Sequence, residues 1–230
     1  MESLNSMSKK RIIAIGVVIL ILFCDQIIKF WVKTNMALHE AIVMAENWAQ
    51  LLFTENKGMA FGWDFMGTYF LCGLRIVAVC YLGYFINNAI KMKKSLGFVV
   101  CLSMVLAGAA GNIFDNIFYG LIFTESTPWQ IASLVPFGEG YGDAFAGRVV
   151  DMFYFPMIDV ILPDWVPFNG GERFIFFSPI FNFADASISV GGAMIVLFYP
   201  RTFSAMFNDG GRKKKVQDNE GNSEEKGLEK

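Results

Sequence analysis

Six polar residues interrupt otherwise apolar stretches of this chain: Asp25, Lys29, Asn112, Asp115, Asn182 and Asp185. Ionisable groups in apolar spans are costly to bury and mark functional sites by default. Asp25 and Lys29 are four apart and can pair on one helix face, which lowers the cost of burying either. Asn112 and Asp115 are three apart, as are Asn182 and Asp185, so each pair is expected to share a helix face. A nucleophile–base pair is missing, because His39 is the single histidine and no serine sits in a G-x-S-x-G turn. Phosphate loops and dinucleotide fingerprints are absent too. Carboxylate chemistry remains. Two close Asp groups cannot both ionise easily, so one keeps a proton while the other stays charged. The charged one can deprotonate a water that attacks an amide carbonyl. The protonated one polarises that carbonyl and then protonates the leaving nitrogen. Asp25, Asp115, Asp143, Asp151, Asp159 and Asp185 are the candidates, and spacing alone does not choose between Asp115 and Asp151 as the partner of Asp185. A polar cluster that only fixes helix register is the bland alternative.

The elements that must position these groups are membrane spans. A hydrocarbon core about 30 Å thick needs roughly 20 apolar residues in a helix. Four segments qualify, at about 12–32, 69–90, 96–119 and 181–199. Asp25-Gln26 follows the first apolar run where a small-x-small cleavage site would be needed, so that run is expected to stay as an uncleaved helix. Basic residues cluster at Lys9-Lys10-Arg11, at Lys91, Lys93 and Lys94, and from Arg201 to Lys215. By the positive-inside rule both termini and the short middle link are cytoplasmic, and the connections 33–68 and 120–180 lie outside. At about 1.5 Å per residue, Asp25 stands about 20 Å above Ile12, Asp115 roughly 28 Å above Leu96 and Asp185 roughly 22 Å above Pro200. Three carboxylates from three helices are thus expected in the outer third of the bilayer. Gly108-Ala109-Ala110-Gly111 and Gly191-Gly192-Ala193 allow close helix approach, which turns the polar faces inward. Arg75, in the second span, is expected to reach outward or pair structurally.

The fold class expected is an all-α integral membrane protein of four transmembrane helices, with a small β-rich or loop-rich outer (periplasmic) subdomain. Residues 1–11 form a cytoplasmic N-terminus, 12–203 the membrane domain and 204–230 a charged cytoplasmic tail, expected to be disordered. Ala49 to Phe61 suits a hairpin turning at Asn56-Lys57-Gly58. Six of the seven prolines lie between Gly120 and Phe181, and the glycines of 137–143 predict a mobile middle for that stretch. With 54% hydrophobic, 16% aromatic and 17% charged residues, the chain is poorer in charge than the roughly 25% of soluble domains. The net charge of −2 says nothing about nucleic acid, and no basic stripe with interleaved aromatics suggests it as a partner. Cys24, Cys72, Cys80 and Cys101 lie in apolar runs without a CxxC pair, which argues against a disulfide framework or zinc site.

Five blocks, in order, resemble the motifs of signal peptidase II, the lipoprotein signal peptidase of bacteria. They are Asp25-Gln26-Ile27-Ile28-Lys29, Asn56-Lys57-Gly58-Met59-Ala60-Phe61, Gly111-Asn112-Ile113-Phe114-Asp115, Val149-Val150-Asp151-Met152-Phe153 and Phe181-Asn182-Phe183-Ala184-Asp185. The resemblance covers about residues 10 to 203. It implies a catalytic dyad of Asp151 and Asp185, with Asp25, Lys29, Asn56, Gly58, Asn112, Asp115, Asn182 and Ala184 at supporting positions. The implied reaction is cleavage before a diacylglyceryl-modified cysteine in a prolipoprotein, releasing its signal peptide. The implied setting is the bacterial inner membrane, without metal or organic cofactor, with membrane lipid as partner and a monomer as the favoured form. Two departures stand out. The family usually has Arg directly after the Gly-Asn-x-x-Asp block, where this chain has Asn116, and Arg148 is the suggested source of the bracing guanidinium. The stretch 122–147 is also additional.

A small transporter or proton-coupled carrier is the rival class, since intramembrane Asp and Lys can form a relay. Neither an inverted repeat nor a matched pair of broken helices supports it. A non-catalytic scaffold or lipid-binding chaperone is the third reading, for which either Asp of the dyad would be replaceable without effect.

Overall fold

The computed structural model describes residues 2–45, 48–56, 68–165, 167 and 169–206. Gly58 and the tail from 207 lie outside the described residues, as do the expectations placed on them.

Four long helices are present: α1 (Glu2–Asn35), α2 (Thr68–Lys91), α3 (Leu96–Ile122) and α4 (Phe183–Phe198). Among the described residues six strands accompany them: β1 (Ala41–Ala45), β2 (Ala49–Asn56), β3 (Val149–Tyr154), β4 (Ile158–Ile161), β5 (Arg173–Phe176) and β6 (Ile180–Phe181). The molecule therefore mixes helix and sheet: the small sheet matches the β-rich part expected beside the spans, but the chain as a whole is not all-α. Residues 4–35, 72–91 and 96–122 are long and apolar enough to cross a membrane by themselves. The fourth expected span, 181–199, is a helix of only 16 residues, and beyond it the chain bends by 93° into a short helix, Pro200–Met206. Ile12, Ile19, Phe23, Val77, Leu197 and Phe198 point outward, an apolar coat suited to lipid. α1 also begins earlier than the span it contains, because nothing in residues 2–11 breaks a helix.

α3 is the central helix and touches the other three. Its approach to α4 depends on glycine. A Cβ at Gly108 would lie 2.2 Å from the Ala184 carbonyl, and one at Gly191 would lie 2.8 Å from the Cys101 carbonyl. Without side chains there, the two backbones meet. One apolar cluster, built on Phe85, Ile90, Phe98, Val99 and Leu102, fills the end of the bundle near the α2–α3 link. A second, built on Val32, Phe53, Tyr119, Phe123, Val150 and Met152, joins the other end to the sheet.

The main sheet has the order β1-β2-β3-β6, all antiparallel, and β4-β5 is a separate ribbon. β2 is flanked by β1 and β3; the turn and second arm of the hairpin expected within 49–61 fall on residues 57–61, outside the described residues. Residues 120–147 also differ from expectation. The last carbonyls of a helix lack intrahelical partners, and here this segment supplies them. Gly142 N–H donates to the Gly120 carbonyl, Gly138 to Leu121, Val135 to Ile122 and Tyr141 to Phe123. The glycines expected to loosen this stretch instead let it lie against α3, where a Cβ at Gly140 would come within 2.1 Å of the Gly120 carbonyl.

Candidate active site

The site begins with α1. Asp25 and Lys29, one turn apart, are both fully buried and pair at 2.9 Å. Lys29 Nζ also meets Asp115 of α3 at 2.7 Å and donates to Asn112 Oδ1 at 2.9 Å. An ammonium has three donors, and all three are engaged. Gln26 donates to Asp115 at 2.9 Å and to Asp25 at 3.1 Å, and its oxygen accepts from the Tyr119 hydroxyl. Asp115 further accepts from the Val150 amide of β3 at 3.4 Å. These contacts engage both Asp25 and Asp115. A buried cation between two carboxylates, each with additional donors, is the arrangement that offsets the desolvation of such charges.

α4 starts where Asn182 caps it. The Asn182 side chain accepts from the Asp185 amide at 2.8 Å, while the Asp185 carboxylate accepts from the Asn182 amide at 3.4 Å. That is a capping box, and it satisfies two amides that a helix end leaves open. Asn182 therefore precedes the helix, and its tie to Asp185 comes from the cap, not from a shared helix face. The Ala184 amide donates to Asp25 Oδ1 at 2.9 Å, so an α1 carboxylate sits at the positive end of the α4 dipole.

Asp151 reaches the same cap through the sheet. β3 pairs with β6 at Phe153↔Phe181, and β6 runs directly into Asn182. Asp151 lies two residues before Phe153, on the same strand face. The Asn182 amide nitrogen donates to Asp151 Oδ1 at 2.7 Å and to Asn112 Oδ1 at 3.1 Å, and Asn112 Nδ2 donates to Asp185 Oδ1 at 2.8 Å. Asp151 and Asp185 thus share Asn182 as a hydrogen-bond partner. Asp151 is buried and Asp185 is half-buried. Burial, and then the charge of Asp185, push the Asp151 carboxyl up to about 7. Its Oδ2 accepts no hydrogen bond from the described residues. Every deeply buried side-chain nitrogen and oxygen among the described residues has a partner, so the network is held in one arrangement.

Other sequence candidates fall elsewhere. Asp159 is exposed on the β4–β5 ribbon and bonded to Arg173, and Asp143 is exposed on the added segment. Asn56 ends β2 opposite Val149. Arg148, suggested as a brace for the carboxylates, is directed away from them. Its guanidinium meets Glu125 at 2.9 Å and Glu55 at 3.3 Å and lies over the Tyr141 ring. The reason is strand geometry: residues three apart on extended chain face opposite sides. Glu55 also pairs with the fully buried Lys33. Two participants escaped the sequence reading, Gln26 and Tyr119. The available signal for Gln26 was a polar side chain beside Asp25 inside a span.

The fold and the site define a membrane protein in which one apolar bundle and a small sheet gather acidic and amide side chains at a single level. Residues 17–200 match the family model described as signal peptidase (SPase) II. A lipoprotein signal peptidase from Porphyromonas gingivalis is 46% identical over 206 residues, covering 89% of this chain and 90% of that protein. One from Amoebophilus asiaticus is 37% identical over 197 residues, covering 83% of this chain and 79% of that protein. Two solved chains described as a bacterial membrane enzyme share the fold, with TM-scores of 0.56 and 0.54 at 21% identity. They cover 84% and 80% of this chain, and 90% of each of theirs is covered. The chain belongs to the signal peptidase II family, a family of membrane proteases.

Proposed function

We propose that the chain is an aspartic endopeptidase that cleaves diacylglyceryl-modified prolipoproteins before the lipidated cysteine, with Asp151 and Asp185 as its catalytic pair. The carrying observation is the single Asn182 side chain that bonds both residues, 2.7 Å to Asp151 Oδ1 and 2.8 Å from the Asp185 amide. Asp115 is already engaged by Lys29, Gln26 and the Val150 amide, which supports Asp151 over it as the partner of Asp185. Asp151 keeps an oxygen that accepts nothing from the described residues, and Asp185 is half-buried, so the pair can hold a water and a peptide carbonyl between them.

The pair titrates as a unit. One proton is shared, the ionised member takes a proton from water, and the resulting hydroxide adds to the scissile carbonyl. The protonated member hydrogen-bonds the developing oxyanion, and a proton passes to the leaving nitrogen as the C–N bond breaks. Burial of Asp151 and the charge of Asp185 beside it disfavour ionising both members of the dyad. Asn112 and Asn182 position the two carboxyls, and Asp25 and Ala184 hold the start of α4.

The basic residues flanking the spans put both termini and the α2–α3 link in the cytoplasm. The site then opens toward the outer face of the inner membrane, where a lipidated substrate carries its scissile bond. Residues 12–203 form the peptidase domain, with 120–180 as its outer part, and the monomer is the working unit. The carrier reading is not favoured, because the described polar groups converge at one level instead of crossing the bundle.

The test is purified protein, in lipid or detergent, with a diacylglyceryl-modified prolipoprotein. Signal-peptide release is expected with the wild type and is expected to vanish in Asp151→Asn and in Asp185→Asn. Release at the wild-type rate by either variant would remove that residue from the dyad.

A further inference from the structure

Arg75 stands in the first third of α2, among Gly73, Leu74, Ile76, Val77 and Ala78. A guanidinium in such a helix is expensive to keep, yet no carboxylate pairs with it among the described residues. It instead donates from Nη1 to Asn116 Oδ1 of α3 at 2.6 Å. Asn116 is almost completely buried, and its amide nitrogen donates to the Gly147 carbonyl at 2.7 Å. The Gly147 amide in turn donates to the Asn116 backbone carbonyl at 2.9 Å. Gly147 is therefore held through both of its backbone groups by one residue. It can come that close because it has no side chain, for a Cβ there would lie 2.1 Å from the Asp115 carbonyl. Two residues later the chain enters β3, which carries Asp151.

We propose that Arg75 is a positioning residue: through the Asn116 amide and Gly147 it sets the entry of β3, and hence the placement of Asp151 against Asp185. Arginine has only donors to offer. Its presence forces the oxygen of the Asn116 amide to face α2 and leaves the NH2 group for the Gly147 carbonyl. Without the cation the amide can rotate by half a turn, which would set its oxygen against the Gly147 carbonyl oxygen and release the strand entry. The hydrogen bond from a charged donor is the stronger kind, and its acceptor, Asn116, is buried. A guanidinium is thus delivered beside the site from α2, whereas the spacing Arg148–Asp151 had suggested the strand itself. The inference rests on the dyad reading above.

Four variants test it, each assayed for kcat, KM and thermal unfolding. Arg75→Leu is expected to lower kcat on the order of ten- to a hundredfold, the loss typical of a misplacement near 1 Å. KM and the unfolding temperature should stay near wild type. Arg75→Lys keeps a cationic donor and should retain most of the kcat. Asn116→Asp separates the relay from simple adhesion of α2 to α3. It strengthens the pairing with Arg75 but removes the donor to Gly147, and kcat should fall as far as in Arg75→Leu. Wild-type kcat in Arg75→Leu or in Asn116→Asp would overturn the proposal, as would a loss in Arg75→Leu matched by unfolding. Asp151→Asn, run alongside, distinguishes the failures. Activity persisting there refutes the dyad, while activity lost there and retained in Arg75→Leu refutes only the relay.

Discussion

Replacing Asp151 by Asn should abolish peptide cleavage and make the protein more stable, and the gain should grow with pH. Asn keeps the shape and the oxygen that accepts from Asn182 at 2.7 Å, but it carries no charge. Burial and the Asp185 charge raise the Asp151 carboxyl from 3.8 to about 7, a difference of about 4 kcal/mol between its two protonation states. The sign follows from proton counting. Between pH 3.8 and about 7 the folded protein holds a proton that the unfolded chain has released. Stability therefore falls as pH rises through that window, and the full penalty is felt above it. Asn escapes that penalty. Its advantage works out at about 4 kcal/mol at pH 8 and only about 1 kcal/mol at pH 4.5. At about 2–4 °C per kcal/mol for a chain of this size, the gain in unfolding temperature at pH 8 should exceed that at pH 4.5 by several degrees. Cys72 and Cys101 are buried, Cys80 is exposed and Cys24 half-buried, so a thiol-reactive dye reports unfolding in detergent once Cys24 and Cys80 are replaced by Ser. The comparison is between two proteins at each pH, so effects of acid on groups not coupled to Asp151 cancel. A gain no larger at pH 8 than at pH 4.5 would refute the reasoning.

Three further outcomes are expected. The kcat/KM profile should fall above about pH 7, as the dyad loses its shared proton with the upward-displaced Asp151 carboxyl; a profile level to pH 9 would count against that proton's role. Gly108→Ala should destabilise by about 1–3 kcal/mol through overpacking, since its Cβ would meet the Ala184 carbonyl at 2.2 Å. Gly192→Ala, with nothing within 4 Å, should be neutral or stabilising by up to about 1 kcal/mol, and dye-detected melting of the pair separates packing from propensity. Lys29→Met leaves Asp25 and Asp115 facing each other without the cation now 2.9 and 2.7 Å away. It should cost about 3–5 kcal/mol, partly recovered by adding Asp115→Asn; a single variant that melts with the wild type would show that Lys29 is not the bond between α1 and α3.

What the chain declares locally is its helices and the polar groups they carry. An apolar run long enough to cross a bilayer is a local property, and so is the four-residue spacing that lets Asp25 meet Lys29. Depth along a helix follows from a constant rise, which is why Asp25, Asp115 and Asp185 could be set near one level before any contact was known. Helix-style spacing misled where the backbone is not helical. Asn182 and Asp185 meet in a cap, and Arg148 and Asp151 diverge because an extended chain turns them to opposite sides.

Residue spacing left Asp115 and Asp151 open as partners of Asp185, and only the tertiary structure shows that Asp151 shares Asn182 with it. The candidates Asp115 and Asp151 are alike in residue type, and they differ in what surrounds them. Asp115 is filled by Lys29 and Gln26, while Asp151 is carried to Asn182 because β3 pairs with β6. Strand partners are chosen by the fit of distant segments, and nothing near residue 151 states that choice. The same holds for Arg75, whose reach to Asn116 depends on how α2 lies against α3. It holds also for 120–147, whose glycines would suit a loose loop and instead lie against the end of α3. Periodicity is written into each segment by its own residues; proximity between segments exists only once the chain has packed.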